Sequence, residues 1–206
     1  MNEDKKKIVT KVSELYQKYG IKSITMDDVA RELGISKKTL YKHVSNKEDL
    51  VKLFVEFVKE QRNYEMESIK NMNNNAIEKL LEVNKIVIKM LKNFNPSIEY
   101  DLKKHYPEQF AEIRNIRKER MYKAVRANLE KGINDGLYRK EMNTNIIAKA
   151  HVSRVENSFT NEVFTLEEIT SPNFSNELMI YHLRAIVNKK GLEFLESKIG
   201  ENGLSI

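Results

Sequence analysis

Four lysines fall within a 14-residue stretch that contains no acidic residue. The stretch runs from Gly34 to Lys47 and also holds Lys37, Lys38 and Lys42. These four charges equal two-thirds of the net charge of +6. Clustered lysines bind phosphate groups and release the counterions that surround a nucleic acid. Short lysine clusters also occur on solvated helix faces, so the elements around this one must decide between the two interpretations.

Two short predicted helices position the lysines. Thr25 can cap the first helix, and Ser36 can cap the second. Gly34 between them permits the positive φ of a tight turn, and the small side chain of Ala30 lets the helices cross closely. The pattern predicts a helix-turn-helix, whose second helix lies in the DNA major groove. The residues expected to face inward are Val29, Leu33, Ile35, Leu40 and Tyr41.

Composition limits the fold class and the chemistry. The chain has 206 residues, 40% hydrophobic and 32% charged, with only seven Gly and three Pro. Strand-rich folds need more turn residues, and nucleotide-binding folds need glycine clusters that are absent, so we expect an all-α protein. The absence of Cys excludes thiol catalysis and disulfides. We expect no membrane span, no secretory signal and a cytoplasmic location.

Apolar periodicity predicts about nine helices. Gly20 is expected to end the first helix, and acidic residues suit the first turn of the fourth. Polar residues 71–75 predict a loop between helices, and another loop ends at Ser171 and Pro172. The predicted helices span about residues 4–19, 25–33, 36–41, 47–70, 76–94, a short segment after Pro96, 107–133, 144–164 and 174–198.

The first 60 or so residues resemble the DNA-binding domain of the TetR family of bacterial transcriptional regulators. One position departs from the family pattern, since Val44 stands where the family usually has Phe, and we expect altered packing there. The residues that carry the resemblance are Thr25, Val29, Ala30, Gly34, Ile35, Ser36, Thr39, Leu40, Tyr41, His43, Lys47 and Leu50.

The resemblance implies a role for each matching polar residue. Thr25 would contact a phosphate, and Ser36 and Thr39 would open the recognition helix, with Thr39 on a phosphate or a thymine methyl group. Lys37 and Lys38 are candidates for reading guanine edges. The remaining implied phosphate contacts are Tyr41, His43 and Lys47, of which Tyr41 has core packing as its alternative.

The resemblance also implies two domains and a symmetric dimer. Residues 1–50 would bind DNA, and residues 51–206 would bind the ligand and form the dimer. A helix at about residues 47–70 would link the two domains. A single recognition helix reads too few base pairs, so we expect a homodimer on an inverted repeat. The last two long helices would form a four-helix interface through Ile146, Ile147, Ala150, Val155, Phe159, Leu178, Tyr181, Leu183, Ala185, Ile186 and Val187.

The middle helices would hold an unknown small-molecule effector. Aromatic and Met side chains at helical spacing are also typical of plain core, and that alternative stays open. His105 and His151 would suit a polar ligand group, and the basic residues of 114–123 form either a solvated face or an anion site. The predicted pocket residues are Met90, Phe94, Tyr100, Leu102, Tyr106, Phe110, Tyr122 and Phe159.

Catalysis is the main rival interpretation, and the sequence does not favour it. The four histidines show no metal-ligand spacing, and no GxSxG nucleophile motif occurs. We therefore expect no enzyme activity, no metal and no cofactor. The sequence predicts a repressor that an effector releases from double-stranded DNA. The alternative is a protein of the same type without an effector, acting as an activator or an architectural protein.

Overall fold

The computed structural model describes residues 2–158 and 163–202, which hold eleven α-helices. This confirms the all-α class. Phe159, predicted for both the interface and the pocket, lies outside the described residues. The helices are α1 (Glu3–Tyr19), α2 (Met26–Glu32), α3 (Lys37–Leu40), α4 (Lys47–Lys70), α5 (Ala76–Lys92), α6 (Pro96–His105), α7 (Pro107–Asn134), α8 (Thr144–Ser158), α9 (Leu166–Thr170), α10 (Pro172–Ile186) and α11 (Lys189–Asn202).

Local capping explains why most helices begin and end where the sequence predicts. Gly20 ends α1 with a φ of 79°, and its N–H donates to the carbonyl of Tyr16. Thr25 and Ser36 cap α2 and α3 as expected. At the start of α4, the N–H of Asp49 donates to Oδ1 of Asn46 at 2.8 Å. These bonds satisfy N–H and C=O groups that helix ends leave without partners.

Two differences separate the nine predicted helices from the eleven observed. The first is α9, in a segment predicted as loop. Thr165 caps this short helix, and the carboxylate of Glu168 accepts from the N–H of Thr165 at 2.7 Å, which completes a capping box. The capping box supplies a start signal that apolar periodicity does not contain.

The second difference is a break in the predicted last helix, between α10 and α11. Val187 is extended, with φ −72° and ψ 151°, and forms an isolated antiparallel bridge with Tyr138. The N–H of Asn188 donates to the carbonyl of Leu137 at 3.0 Å. The side-chain Oδ1 of Asn188 accepts from the N–H of Gly191 at 2.9 Å. A pairing with Leu137 and Tyr138, which lie far earlier in the chain, therefore overrides the local helical pattern.

Packing divides the chain into two compact units. The first unit comprises residues 1–64 and 93–115, and the second comprises residues 65–92 and 116–206. The core of the first unit includes Val12, Tyr16 and Leu40, all fully buried. The core of the second includes Ile77, Leu129 and Leu183. These units are defined by packing alone, and the predicted boundary at residue 50 separates a DNA-binding from a ligand-binding function. That boundary therefore stays a prediction.

Among the described residues, no helix combines the length and the apolar character that a membrane span would require.

Candidate nucleic-acid interface

The turn between α2 and α3 sets the geometry of the candidate interface. Gly34 has a φ of 66°, which confirms the predicted positive φ. The N–H of Ile35 donates to the carbonyl of Ala30 at 3.0 Å, so the chain reverses within a few residues. Ala30 is buried against the first core, as its predicted role in the helix crossing requires. A residue with a Cβ would be strained at Gly34 because of this φ.

The start of α2 is fixed by a reciprocal pair, Thr25 and Asp28. The hydroxyl of Thr25 donates to Oδ2 of Asp28 at 2.6 Å, and the N–H of Asp28 donates back to that hydroxyl oxygen at 3.2 Å. Oδ2 of Asp28 also accepts from the backbone N–H of Thr25, and the two bonds from Thr25, together with Arg31, lower the pKa of Asp28, so its carboxylate is charged at neutral pH. A phosphate at Thr25 would therefore compete with Asp28 for the hydroxyl proton.

The first turn of α3 presents two lysines to solvent. The N–H of Thr39 donates to Oγ of Ser36 at 3.1 Å, and the two hydroxyls lie 2.9 Å apart. Lys37 forms an exposed ion pair with Asp27 at 2.5 Å. Lys38 is exposed, and none of the ion pairs between described residues involves it. The α3 N-terminal turn therefore carries one paired and one unpaired cation.

Tyr41 and His43 follow at the end of α3. The side chain of Tyr41 is 47% exposed, so the expectation that it faces inward beside the fully buried Leu40 is wrong. His43 is half-buried. Val44, which replaces the usual Phe, is buried in the first core, as expected of an apolar substitute. The exposed hydroxyl of Tyr41 is compatible with the phosphate role that the resemblance implies.

Lys47 differs from the other lysines of the cluster because it is half-buried and bound to a backbone carbonyl. Its Nζ donates to the carbonyl of Lys22 at 3.0 Å, and burial lowers its pKa. The N–H of Lys22 donates in turn to Oδ2 of Asp101 at 2.8 Å. The backbone at Lys22, in the loop between α1 and α2, is thus held from both sides.

Asp101 is a residue that sequence reasoning missed. It is buried on α6, and its carboxylate joins α6 to the loop that precedes α2. A second bond runs from Nδ2 of Asn95 to the carbonyl of Gln17 at 2.8 Å. No local pattern could have found this connection, because 79 residues separate Asp101 from Lys22.

The predicted pocket residues that the structure describes fall in both packing units. Five of them (Phe94, Tyr100, Leu102, Tyr106 and Phe110) fall in the first unit, and Met90 and Tyr122 fall in the second. Leu102 is buried in the first core, and Tyr106 and Phe110 pack against it. Tyr100 is 59% exposed. Leu102, Tyr106 and Phe110 therefore contribute to the packing of the first unit, the alternative that the sequence left open.

The predicted dimer residues divide into two groups. Leu183, Ile186 and Val187 belong to the second core. By contrast, Ile146 on α8 is 61% exposed and Tyr181 on α10 is 71% exposed. Two large apolar side chains are thus left open to solvent on the two helices predicted to pair.

The geometry of α2 and α3 is that of a helix-turn-helix, a motif that many DNA-binding proteins use. Residues 8–53 match the family described as bacterial regulatory proteins, tetR family. No curated protein sequence matches the chain. The chain therefore carries a segment that matches the tetR family, within a fold that it shares with solved transcriptional regulators.

Solved regulators share the fold along nearly the whole chain. A TetR transcription regulator from Haloarcula marismortui has a TM-score of 0.73 and 15% identity, over 91% of this chain and 100% of that chain. A transcriptional regulator from Cytophaga hutchinsonii has a TM-score of 0.72 and 19% identity, over 88% and 97%. The ketosteroid transcriptional regulator KstR2 of Mycobacterium tuberculosis has a TM-score of 0.59 and 16% identity, over 92% and 97%. The TM-scores establish a common fold, whereas identities this low do not indicate which ligand the chain binds.

Proposed function

We propose that the chain is a homodimeric, cytoplasmic repressor that binds an inverted-repeat operator and releases it when a small-molecule effector binds. The observation that carries the proposal is the exposed cationic turn at the start of α3. The α2–α3 connection at Gly34 and the cap at Ser36 fix the position of the first turn of α3. Neither of them uses the charge of Lys38. A fixed cation at the start of a recognition helix can reach base edges in the major groove.

The proposed DNA contacts divide into base and phosphate contacts. Lys38 is the stronger candidate for a base edge, because Lys37 must first leave Asp27. Lys47 is the weakest candidate, because its ammonium group already donates to Lys22. The full proposed set is Thr25, Ser36, Lys37, Lys38, Thr39, Tyr41, His43 and Lys47.

The dimer is supported by the exposed apolar side chains of α8 and α10. Burying Ile146 and Tyr181 against a second copy would remove their apolar surface from water. Two recognition helices related by a two-fold axis would then enter successive major grooves about 34 Å apart. This arrangement requires an operator with two-fold symmetry.

Chain connectivity offers a route from an effector to the DNA. The first unit includes α6, tied to the loop before α2 through Asp101, whereas α5 and most of α7 belong to the second unit. An effector that displaces α5 or α7 would therefore displace α6 through the chain itself. A coupling of about 1–3 kcal/mol is enough to release an operator. KstR2 is described as a ketosteroid regulator, which supports a small-molecule effector in this family.

Selection from a random DNA library at near-physiological salt tests the proposal. Enrichment of an inverted repeat, bound roughly 10³-fold or more above random DNA, is expected of a specific regulator. Binding without enrichment would contradict the repressor proposal and favour an architectural role. Specific binding that no small molecule alters would favour the alternative without an effector.

A further inference from the structure

A cluster of three nitrogen-bearing side chains lies between α8 and α10, within the second unit. His151 and Arg154 stand one helical turn apart on α8, and His182 stands on α10. The two imidazole rings meet edge to face, with centroids 4.5 Å apart and an interplanar angle of 61°. We call His151, Arg154 and His182 the nitrogen cluster.

The nitrogen cluster contains buried nitrogen atoms that lack hydrogen-bond partners among the described residues. His182 exposes only 9% of its surface. Among the described residues, Nδ1 of His151 and Nε2 of His182 are buried without a hydrogen-bond partner. Buried polar atoms are nearly always paired, because desolvation without a compensating hydrogen bond is unfavourable. Two such atoms in neighbouring rings therefore point to a missing partner.

The charges around the nitrogen cluster indicate the sign of that partner. Burial lowers the pKa of His151 to about 3 and that of His182 to about 4, and the nearby charge of Arg154 contributes to both. Burial also lowers the pKa of Arg154, and its electrostatic neighbour among the described residues is the phenol of Tyr181 rather than a carboxylate. The site is rich in hydrogen-bond donors and, within the described residues, lacks an acid.

Arg117, another arginine of the second unit, does have a buried carboxylate as its partner. Its side chain on α7 lies 2.7 Å from Oε1 of Glu156, a carboxylate that is only 5% exposed. The second unit thus supplies a carboxylate to Arg117 and none of its described carboxylates to Arg154. A half-buried guanidinium without an acid destabilises the fold, so the charge of Arg154 needs another explanation.

We propose that the nitrogen cluster binds the carboxylate group of a small organic anion, which acts as the effector. This assignment rests on the proposed function, since it names the ligand class that the regulator would sense. A carboxylate has two oxygens that can accept from the guanidinium of Arg154 and from an N–H of each imidazole. One ligand group would then satisfy the buried nitrogens together with the charge of Arg154, for which the described residues supply no acid.

A metal ion is the other ligand that two close imidazoles suggest, and the charge argues against it. The guanidinium of Arg154 acts on both rings electrostatically and would repel a cation. In the part of the chain that the structure describes, no group of three His, Asp or Glu side chains is placed to hold a metal. The geometry therefore favours an anion.

Imidazole ¹H–¹⁵N spectra of the full-length protein test the site directly. Butyrate is the probe, and butyramide, which has the same shape without the charge, is the matched control. We expect butyrate to shift the signals of His151 and His182 in a saturable way. His43 and His105 lie in the first unit and serve as internal controls in the same spectrum. Shifts in all four histidines, in none, or equally with butyramide would overturn the proposal.

Two variants separate a ligand-binding role of Arg154 from a structural one. Arg154→Gln is expected to weaken butyrate binding at least about tenfold, because a charged hydrogen-bond donor is lost. Lys149→Gln removes the same charge from an exposed position of α8 and is expected to leave binding unchanged. Without butyrate, Arg154→Gln is expected to keep or raise the melting temperature, since it removes a half-buried charge. If Arg154→Gln binds butyrate as tightly as the wild type, or melts at a lower temperature than the wild type without butyrate, Arg154 has no ligand-binding role.

Operator affinity measured on the same samples separates this inference from the proposed function. Butyrate is expected to weaken operator binding by the wild type and not by Arg154→Gln. Histidine shifts without any change in operator affinity would keep the anion site and overturn its role as the effector site. A chain that recognises no operator would contradict the proposed function, whereas the histidine shifts would still decide the site. If Arg154→Gln disrupts the dimer and butyrate moves no histidine signal, a carboxylate of a second copy occupies the cluster and the proposal is wrong.

Discussion

Lys37 and Lys38 are neighbours on the exposed first turn of α3, yet their charges are not equally available. Asp27 of α2 lies 2.5 Å from Lys37, and both side chains are more than half exposed. Exposed pairs of this kind contribute only about 0–1 kcal/mol, so DNA can separate them. Asp27 would nevertheless place a negative charge close to the phosphates of a bound operator.

Asp27→Asn is therefore expected to tighten DNA binding. The pair energy corresponds to an increase in affinity of up to about fivefold per recognition helix. Fluorescence anisotropy with the selected operator measures the change. Glu60→Gln, an equal charge change at an exposed position of α4, is the control and is expected to have little effect. Weaker binding by Asp27→Asn would show instead that Asp27 orients Lys37 for its contact.

Tyr41→Phe tests the phosphate role of the exposed phenol. The variant keeps the ring and removes only the hydroxyl, so the melting temperature is expected to stay the same. Loss of one hydrogen bond to a charged phosphate is expected to cost about 1.5–3 kcal/mol per recognition helix, for operator and random DNA alike. If anisotropy shows equal affinity for both proteins, Tyr41 makes no phosphate contact.

At the scale of the elements, local signals predicted the helix-turn-helix and distant contacts limited the rest. Gly34, Thr25 and Ser36 act within a few residues, so their types alone indicated the turn and the two caps. Lys47 and Asp101 bind the backbone of Lys22 from 25 and 79 residues away. Sequence reasoning could identify a lysine or an aspartate there but not the partner, which depends on the packing of α6.

The break between α10 and α11 shows the same limit and allows a prediction. Nδ2 of Asn188 donates to the carbonyls of Gly136 and Tyr138, at 3.0 and 3.3 Å. Asn188→Ala would leave these partly buried carbonyls without a donor, at a cost of about 1–3 kcal/mol in the free energy of unfolding. Urea denaturation measures the loss, with the exposed Asn173→Ala on α10 as the control. Equal stability of the two variants would mean that the junction does not depend on Asn188.

At the scale of the whole molecule, the exposed surface of α8 and α10 decides the state of assembly. Tyr181→Glu would place a charge in the proposed interface, and because Tyr181 is 71% exposed the protomer fold should tolerate it. Analytical ultracentrifugation is expected to show monomers and anisotropy to show loss of operator binding. Tyr64→Glu changes a similarly exposed tyrosine of α4 and is expected to leave the dimer intact. A stable Tyr181→Glu dimer would place the interface elsewhere.

The central claim is that two recognition helices of one dimer enter successive major grooves on the same face of the DNA. Changing the distance between the half-sites of the selected operator tests it most directly. Inserting about five base pairs between the half-sites rotates one of them to the opposite face of the DNA. Inserting about ten base pairs returns that half-site to the original face, one helical turn farther from the other half-site. We predict that anisotropy will show a loss of about 10³-fold in affinity, down to the level of random DNA, for the insertion of five. Equal affinity for the original and the five-base-pair operators would contradict the account, because each protomer would then bind its half-site independently.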